Sequence, residues 1–234
     1  MKHGKRVGAF IAPHLERPNV RVTIDKERIT DEQFLHYANK IAVVVETELD
    51  GKFPSFFEFM TIIGFLHFAN EQVDVAVLET GIGGRLDSTN VISPEVSVIT
   101  TVSLEHTAML GDTYSLVASE KAGIIKHGKP IIVGVKNEEA LNVIKQVAAL
   151  NESPIYVLNE TIHVRKAERG HFTYDGIGRI ENIELGMIGA HQYENATLAI
   201  TACSLFLGQL QEEAVRNELK NAVWEGRFEK ISEQ

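Results

Sequence analysis

The sequence contains one cysteine, Cys203, and fewer basic than acidic residues, 23 against 32. A lone cysteine excludes an internal disulfide and fits a reducing compartment. No apolar run reaches the roughly 18 residues of a transmembrane helix, and the short apolar run near the N-terminus ends at Pro13, before it is long enough for a signal peptide. The formal net charge of −9 argues against a nucleic-acid partner, although a local site can still bind small anions. These absences predict a cytoplasmic protein with no nucleic-acid or membrane partner.

Strand-like and helix-like patterns alternate along the 234 residues. Apolar segments typical of buried strands lie at residues 6–11, 73–79, 96–101, 130–135 and 155–158. Helical spacing is found at residues 30–49, 55–69, 113–125, 138–150, 191–207 and 211–222. Residues 162–185 instead form short alternating segments separated by glycines, which predicts a small antiparallel meander. The whole predicts an α/β fold with a doubly wound, mostly parallel sheet and a small antiparallel β subdomain.

The stretch VDVAVLETGIGGRLDSTN, residues 73–90, runs from an apolar strand into Glu79 and then into a glycine-rich turn. The next predicted strand leads to Glu105 and His106. Alone, Glu79 is explained as a cap of the turn, His106 as an ordinary loop histidine and Lys121 as a solvated helix residue. Together, carboxylate and imidazole groups at the ends of neighbouring strands suit a hard divalent ion such as Mg²⁺. The pattern therefore predicts a ligand site at the carboxyl edge of the sheet.

Six blocks of the sequence resemble one known family in their order and spacing. They are APHLERPN, SFFEFMTIIGF, LETGIGGRLDSTNVI, SLEHTAMLGDTYSLVASEKAGIIKHGKP, HQYENATLAI and WEGRFE, and they extend from about Val7 to Ile231. The chain resembles the folylpolyglutamate synthase/dihydrofolate synthase family of the Mur ligase superfamily. The resemblance implies an ATP-dependent amide ligase that phosphorylates a pteroate or folate carboxylate and joins the acyl phosphate to L-glutamate, in folate biosynthesis and one-carbon metabolism.

The resemblance also implies roles for particular residues. Glu79 and His106 match magnesium ligands, and His106 with Lys121 matches the catalytic positions, where Lys121 is the lysine that the family carbamylates. Asn195 and Arg227 match positions that contact ATP. The positions that match the pterin pocket are Phe57, Glu58, Leu86, Asp87 and Ser88. Glu58 has a second explanation, because its spacing from Ser55 is that of a helix capping box.

The sequence departs from the family pattern at its ends and in one block. It contains no glycine-rich phosphate loop of the GTNGKGS kind, and Ala12 stands where relatives place a magnesium-binding serine. The resemblance therefore implies a Mur ligase central, ATP-binding domain at 1–225, similar to a P-loop NTPase but truncated, with a β insertion at about 155–186. Residues 226–234 would be the hinge to a C-terminal domain that is missing.

Three functional hypotheses remain open at this point. In the first, the chain is a ligase of this family, either a fragment or one part of a split enzyme, inactive alone and completed by a fragment that carries the phosphate loop. It is alternatively a non-catalytic remnant that binds pterin or nucleotide weakly. The third hypothesis is a related Mur ligase with another acid substrate, against which the GGRLDSTN and EHTAMLGDT blocks favour the folate branch.

Overall fold

The computed structural model describes residues 4–14, 16–166 and 170–224, and the chain divides into two compact units, Met1–Ile92 and Ser93–Gln234. Strands and helices alternate in both units, which confirms the predicted α/β class. The proposed hinge and the boundary at residue 225 lie outside the described residues, so the domain limits stay a prediction. Within the described residues, no helix is long and apolar enough to cross a membrane.

The first unit is a mixed four-stranded sheet with two helices. Its strands are β1 (Val7–Phe10), β2 (Val22–Ile24), β3 (Glu27–Arg28) and β4 (Val75–Leu78). Its helices are α1 (Asp31–Glu48) and α2 (Phe56–Asn70), and short 3-10 turns lie at Pro18–Arg21 and Ser88–Val91. The strand order is β3-β2-β1-β4, with β1 and β4 parallel and the other pairs antiparallel. The parallel pair brings the carboxyl ends of β1 and β4 to the same edge.

Both helices of this unit begin where the capping-box spacing predicts. The Thr30 hydroxyl accepts a hydrogen bond from the Gln33 N–H at 3.1 Å, and the Thr30 N–H donates to the Gln33 side chain at 3.2 Å. The Ser55 N–H donates to Glu58 Oε2 at 2.7 Å, and the Glu58 N–H donates back to the Ser55 hydroxyl at 3.3 Å. Such caps satisfy N–H groups that have no partner inside the helix and stabilise it by about 1 kcal/mol each.

The core of the first unit lies between its sheet and its helices. Phe10, Met60 and Ile63 are almost completely buried there. Gly64 of α2 faces the Phe10 ring closely, since a Cβ on Gly64 would lie 3.2 Å from that ring. Full burial of each large apolar side chain stabilises the fold by roughly 1.5–3 kcal/mol. This packing holds the helix that carries Phe57 and Glu58 against the strand that ends beside Glu79.

The second unit contains a parallel sheet and an antiparallel sheet. The parallel sheet, in the order β5-β6-β7, consists of β5 (Ser97–Ile99), β6 (Ile131–Val133) and β7 (Ile155–Val157). The antiparallel sheet, in the order β10-β9-β8, consists of β8 (His163–Lys166), β9 (His171–Gly176) and β10 (Gly178–Glu184). The helices are α3 (Thr107–Leu110), α4 (Tyr114–Ala122), α5 (Glu138–Leu150), α6 (Ala190–Leu207) and α7 (Glu212–Lys220).

Strand β6 shows that helices cover both faces of the parallel sheet. Ile131 and Val133 pack into the cluster formed with α4 and α5, whereas Ile132 packs on the opposite face with Leu198 of α6. All three β6 residues are fully buried, as expected for a parallel strand covered on both sides. The doubly wound arrangement and the antiparallel β subdomain are therefore confirmed. The two-residue strand β3 and the one-turn helix α3 are too short to give a periodic signal in the sequence.

A carboxylate holds the glycine-rich loop that follows β4. Asp87 Oδ2 accepts hydrogen bonds from the Gly81 and Ile82 N–H groups at 3.0 and 3.1 Å, and Asp87 Oδ1 accepts from the Thr89 N–H at 2.9 Å. Gly81 also lies directly against the Phe57 ring, since a Cβ there would approach that ring to 2.7 Å. The loop conformation thus depends on a small residue at 81 and an acceptor at 87.

Burial of His67 predicts a pH-dependent stability. His67 lies on α2 between the rings of Tyr37 and Phe68, and its Nδ1 has no hydrogen-bond partner among the described residues. Burial lowers the pKa of His67, and Glu71 offsets that effect only in part. Below the ordinary histidine pKa of about 6.5, the unfolded chain binds a proton that the folded chain resists. The free energy of unfolding should therefore fall as the pH decreases from about 7 to 5.

Urea denaturation across this pH range tests the expectation. His67→Phe should flatten the dependence, whereas His36→Phe, at an exposed position on α1, should leave it in place. An unchanged slope in His67→Phe would show that other groups cause the pH dependence.

The contact between Gly81 and Phe57 predicts a second stability effect. Gly81→Ala should destabilise the protein by about 1–3 kcal/mol, because the new methyl group overlaps the Phe57 ring. Adding Phe57→Leu should remove part of that cost, so the two substitutions should not be additive. Urea denaturation of the two single variants and the double variant measures the coupling. Additive losses would mean that the ring does not cause the effect.

Candidate functional site

Glu79 lies at the carboxyl edge of the first unit, immediately after β4. Its N–H donates to the Phe10 carbonyl at 2.8 Å, which extends the pairing of β4 with β1. Its Oε2 accepts a hydrogen bond from the Ala12 N–H at 2.9 Å, and the side chain is exposed. Among the described residues nothing bonds to Oε1, so one carboxylate oxygen is available to a ligand. Ala12 contributes its backbone N–H and no side-chain oxygen.

His14 and Arg21 lie near the same edge. Arg21 Nε donates to His14 Nδ1 at 2.9 Å, and the guanidinium carbon lies 5.4 Å from the centre of the Phe56 ring. The Arg21 side chain is buried, and this burial lowers its pKa although Glu79 acts in the opposite direction. No local pattern in the sequence predicts this contact, because residues 14 and 21 are brought together by the turn that returns β2 against β1.

A pocket of about 1130 Å³ opens between α1, α2 and the loop at residues 85–91. Four of the five residues predicted for the pterin pocket contribute to its lining: Glu58, Leu86, Asp87 and Ser88. Phe57 is not part of the lining and instead contacts Gly81. Residues of the lining that the sequence did not point to include Lys40, Val44, Lys52, Thr61, Ile62 and Arg85. The pocket is apolar in its body, with charged groups of both signs.

The polar residues of this pocket are held in place by their own hydrogen bonds. The Ser88 and Thr61 hydroxyls lie 2.8 Å apart. Glu58 is held by the Ser55 capping box, and the hydrogen bonds from Ser55 lower the pKa of Glu58. Leu86, by contrast, is 79% exposed and extends from the loop without a packing partner in the core. Leu86 is therefore the lining residue that is most available for apolar contact with a ligand.

His106 and Lys121 lie in the second unit. His106 follows β5 and precedes α3, in the left-handed backbone region with φ of 53°. Its ring is exposed and makes no hydrogen bond to the described residues. A non-glycine residue in this conformation costs energy and is often found at functional sites. Lys121 is half-buried in the last turn of α4, and its ammonium makes no hydrogen bond or ion pair with the described residues.

Asn195 lies on the exposed side of the first turns of α6, where its Nδ2 donates to Gln192 Oε1 at 3.1 Å. Lys136, which follows β6, pairs with Glu194 at 2.8 Å, so the start of α6 lies at the carboxyl edge of the parallel sheet. At the same edge Gly134, which follows β6, lies directly against the segment after β5, since a Cβ there would lie 2.6 Å from the Thr100 carbonyl oxygen. Arg227, the other position predicted to contact ATP, lies outside the described residues.

The interpretation of β4 and β5 as neighbouring strands of one sheet is wrong. β4 belongs to the sheet of the first unit, where it pairs with β1, and β5 pairs with β6 in the second unit. Sequence order does not determine strand order, because each connection can cross to another position. Within the described residues, no group of three histidine, cysteine, aspartate or glutamate side chains is placed to hold a metal ion. The roles of Glu79, His106 and Lys121 therefore stay predictions.

Comparison with known proteins identifies the family. Residues 31–203 match the Mur ligase middle domain. The chain is 36% identical to a dihydrofolate synthase/folylpolyglutamate synthase of Bacillus subtilis strain 168, over 98% of this chain and 56% of the relative. Its structure is similar to the crystal structure of a folylpolyglutamate synthase from Thermotoga maritima, with a TM-score of 0.88 and 38% sequence identity. The match covers 97% of this chain and 53% of that one.

A further solved structure is described as an FPGS–AMPPCP–folate complex. It is 36% identical, with a TM-score of 0.91 over 98% of this chain and 59% of that one. The chain thus spans about half the length of the relatives that it matches. The chain belongs to the Mur ligase middle domain family, and its relatives are folylpolyglutamate and dihydrofolate synthases.

Proposed function

We propose that this chain is the nucleotide- and folate-binding part of a cytoplasmic ATP-dependent ligase. The ligase joins L-glutamate to the carboxylate of a folate or a dihydropteroate through an acyl phosphate. The observation that supports the proposal is a likeness that extends over 98% of the chain, to a named dihydrofolate synthase/folylpolyglutamate synthase and to a complex that contains both AMPPCP and folate.

Glu79 and His106 are the residues that we propose as magnesium ligands. Their chemistry fits, because Glu79 has a carboxylate oxygen without a partner among the described residues and His106 has an exposed imidazole. Magnesium would neutralise charge on the phosphate oxygens during phosphoryl transfer. Lys121 fits a carbamylated role, since among the described residues its ammonium has no acidic partner and a carbamate would add a carboxylate.

The nucleotide side of the proposal depends on the second unit. Asn195 lies at the carboxyl edge of the parallel sheet, where ligands bind in doubly wound folds. Arg227 is proposed as its companion from the resemblance alone. The 234 residues contain no GxxxxGK[ST] motif, whose backbone N–H groups would surround the phosphates. We therefore propose that these residues are inactive alone and that catalysis needs such a loop in addition to them.

The folate side of the proposal depends on the pocket of the first unit. A flat aromatic pterin needs an apolar cavity with a few fixed polar groups. The pocket between α1, α2 and the 85–91 loop has that character, with Ser88 and Asp87 held at one side and Leu86 free to pack on a ring. This character supports the pocket as the proposed site of the acid substrate.

Nucleotide binding by the isolated chain should be weak and insensitive to the number of phosphates. Isothermal titration with Mg-ATP should show a dissociation constant no tighter than millimolar, because the phosphate loop that supplies most of the contacts is absent from these residues. AMP is the control and should bind about as well as ATP. A micromolar constant for Mg-ATP, or a strong preference over AMP, would contradict the requirement for a complementing loop.

Folate binding tests the function itself. Leu86→Ala should weaken folate binding about tenfold, which corresponds to roughly 1.4 kcal/mol of lost apolar contact. Leu150→Ala is the matched control, because Leu150 is a similarly exposed leucine, 84% against 79%, in the other unit and outside the pocket. Quenching of protein fluorescence by folate measures both affinities. Equal affinity of the two variants would remove the pocket from the proposal, and absence of any folate binding to the unaltered chain would remove the folate function.

A further inference from the structure

Arg21 is a buried cation whose hydrogen-bonding capacity is mostly unused. Its residue is only 7% exposed. Its backbone is fixed at the end of the 3-10 turn, where its carbonyl accepts a hydrogen bond from the Ile11 N–H at 2.9 Å. The side chain is thus carried by the same edge of the sheet that presents Glu79.

The guanidinium is oriented from two sides. Nε donates to His14 Nδ1 at 2.9 Å, and the Phe56 ring lies beside the guanidinium carbon at 5.4 Å from its centre. Among the described residues, these are the hydrogen bond and the ring contact of the Arg21 side chain, and no carboxylate lies within ion-pair distance of it. The two terminal nitrogens, which each carry N–H donors, therefore have no partner in the described part of the chain.

Such an arrangement leaves a charge mostly removed from water without a carboxylate partner, and burial lowers the pKa of Arg21. The terminal nitrogens are not among the fully buried polar atoms of the described residues that lack a partner, so they still reach solvent and are open to a ligand. Replacement of a poorly paired buried charge by an apolar residue is often neutral or stabilising. A partner for the terminal nitrogens would account for an arginine at this position.

We infer that the terminal nitrogens of Arg21 form an oxyanion-binding subsite at the carboxyl edge of β1, which takes a carboxylate or a phosphoryl group. The planar guanidinium presents parallel N–H donors that match both groups, and an arginine already oriented by its neighbours loses little freedom on binding. His14 is a positioning residue, because its Nδ1 fixes the direction of Nε. The subsite stands on contacts of the first unit and does not require the ligase activity.

Glu79 limits the affinity of this subsite for free anions. Its carboxylate interacts electrostatically with Arg21 and repels an approaching anion. Small probes should therefore bind in the millimolar range, and the experiment uses two of them. Potassium phosphate represents the phosphoryl group and glutarate represents the carboxylate, each titrated at constant ionic strength with chloride as the replaced ion.

The decisive measurement follows the Nε–Hε signal of Arg21 by nuclear magnetic resonance in the unaltered chain. We expect a saturable shift with at least one probe, and the probe that saturates first identifies the preferred oxyanion. A shift that is absent or strictly linear with both probes overturns the inference, whatever the variants do.

Three variants extend the test by thermal denaturation, since a bound anion raises the unfolding temperature by mass action. The preferred anion should stabilise Arg17→Met, whose arginine is exposed at the start of the same turn, as much as the unaltered chain. It should give no specific stabilisation of Arg21→Met, and Arg21→Lys should need several-fold more anion, because lysine lacks the planar fork. In anion-free buffer Arg21→Met should unfold at no lower temperature than the unaltered chain. Equal anion stabilisation of Arg21→Met and Arg17→Met would overturn the inference.

Discussion

The parallel pairing of β1 with β4 is the constraint on which the candidate site of the first unit depends. Because both strands run in the same direction, the residues that follow Phe10 and Leu78 emerge at one edge. Glu79 then links the two segments beyond the strands, through its N–H to Phe10 and its carboxylate to the Ala12 N–H. A single residue thus continues the sheet with its backbone and presents an open carboxylate oxygen with its side chain.

Local signals predicted the elements of this fold well, because they are caused by local interactions. The capping boxes at Thr30 and Ser55 are formed by hydrogen bonds within four residues, and both are present. Helix α5 occupies the predicted residues 138–150, since its apolar spacing has a strong 3.6-residue period. Strand order, by contrast, depends on where each connection crosses the sheet and has no local signal. The prediction that β4 and β5 are neighbours was therefore wrong.

The residues of the candidate site were likewise predicted where they belong to one local motif, and were missed where they meet only through packing. Leu86, Asp87 and Ser88 of the 85–91 loop were predicted from a motif, and all three line one pocket. Thr61 and Lys40 were not, because they reach the pocket only through the packing of α2 and α1. Arg21 was not predicted, since its burial follows from a turn that folds β2 back onto β1.

The close contact at Gly134 has a consequence for how this fold can change over time. A Cβ at that position would lie 2.6 Å from the Thr100 backbone oxygen, so the distance between the segment after β6 and the segment after β5 is set by the absence of a side chain. Selection for another cosubstrate therefore has little freedom to move these two segments apart. Divergence at this edge must proceed by exchanging the side chains around them, while their separation is inherited unchanged.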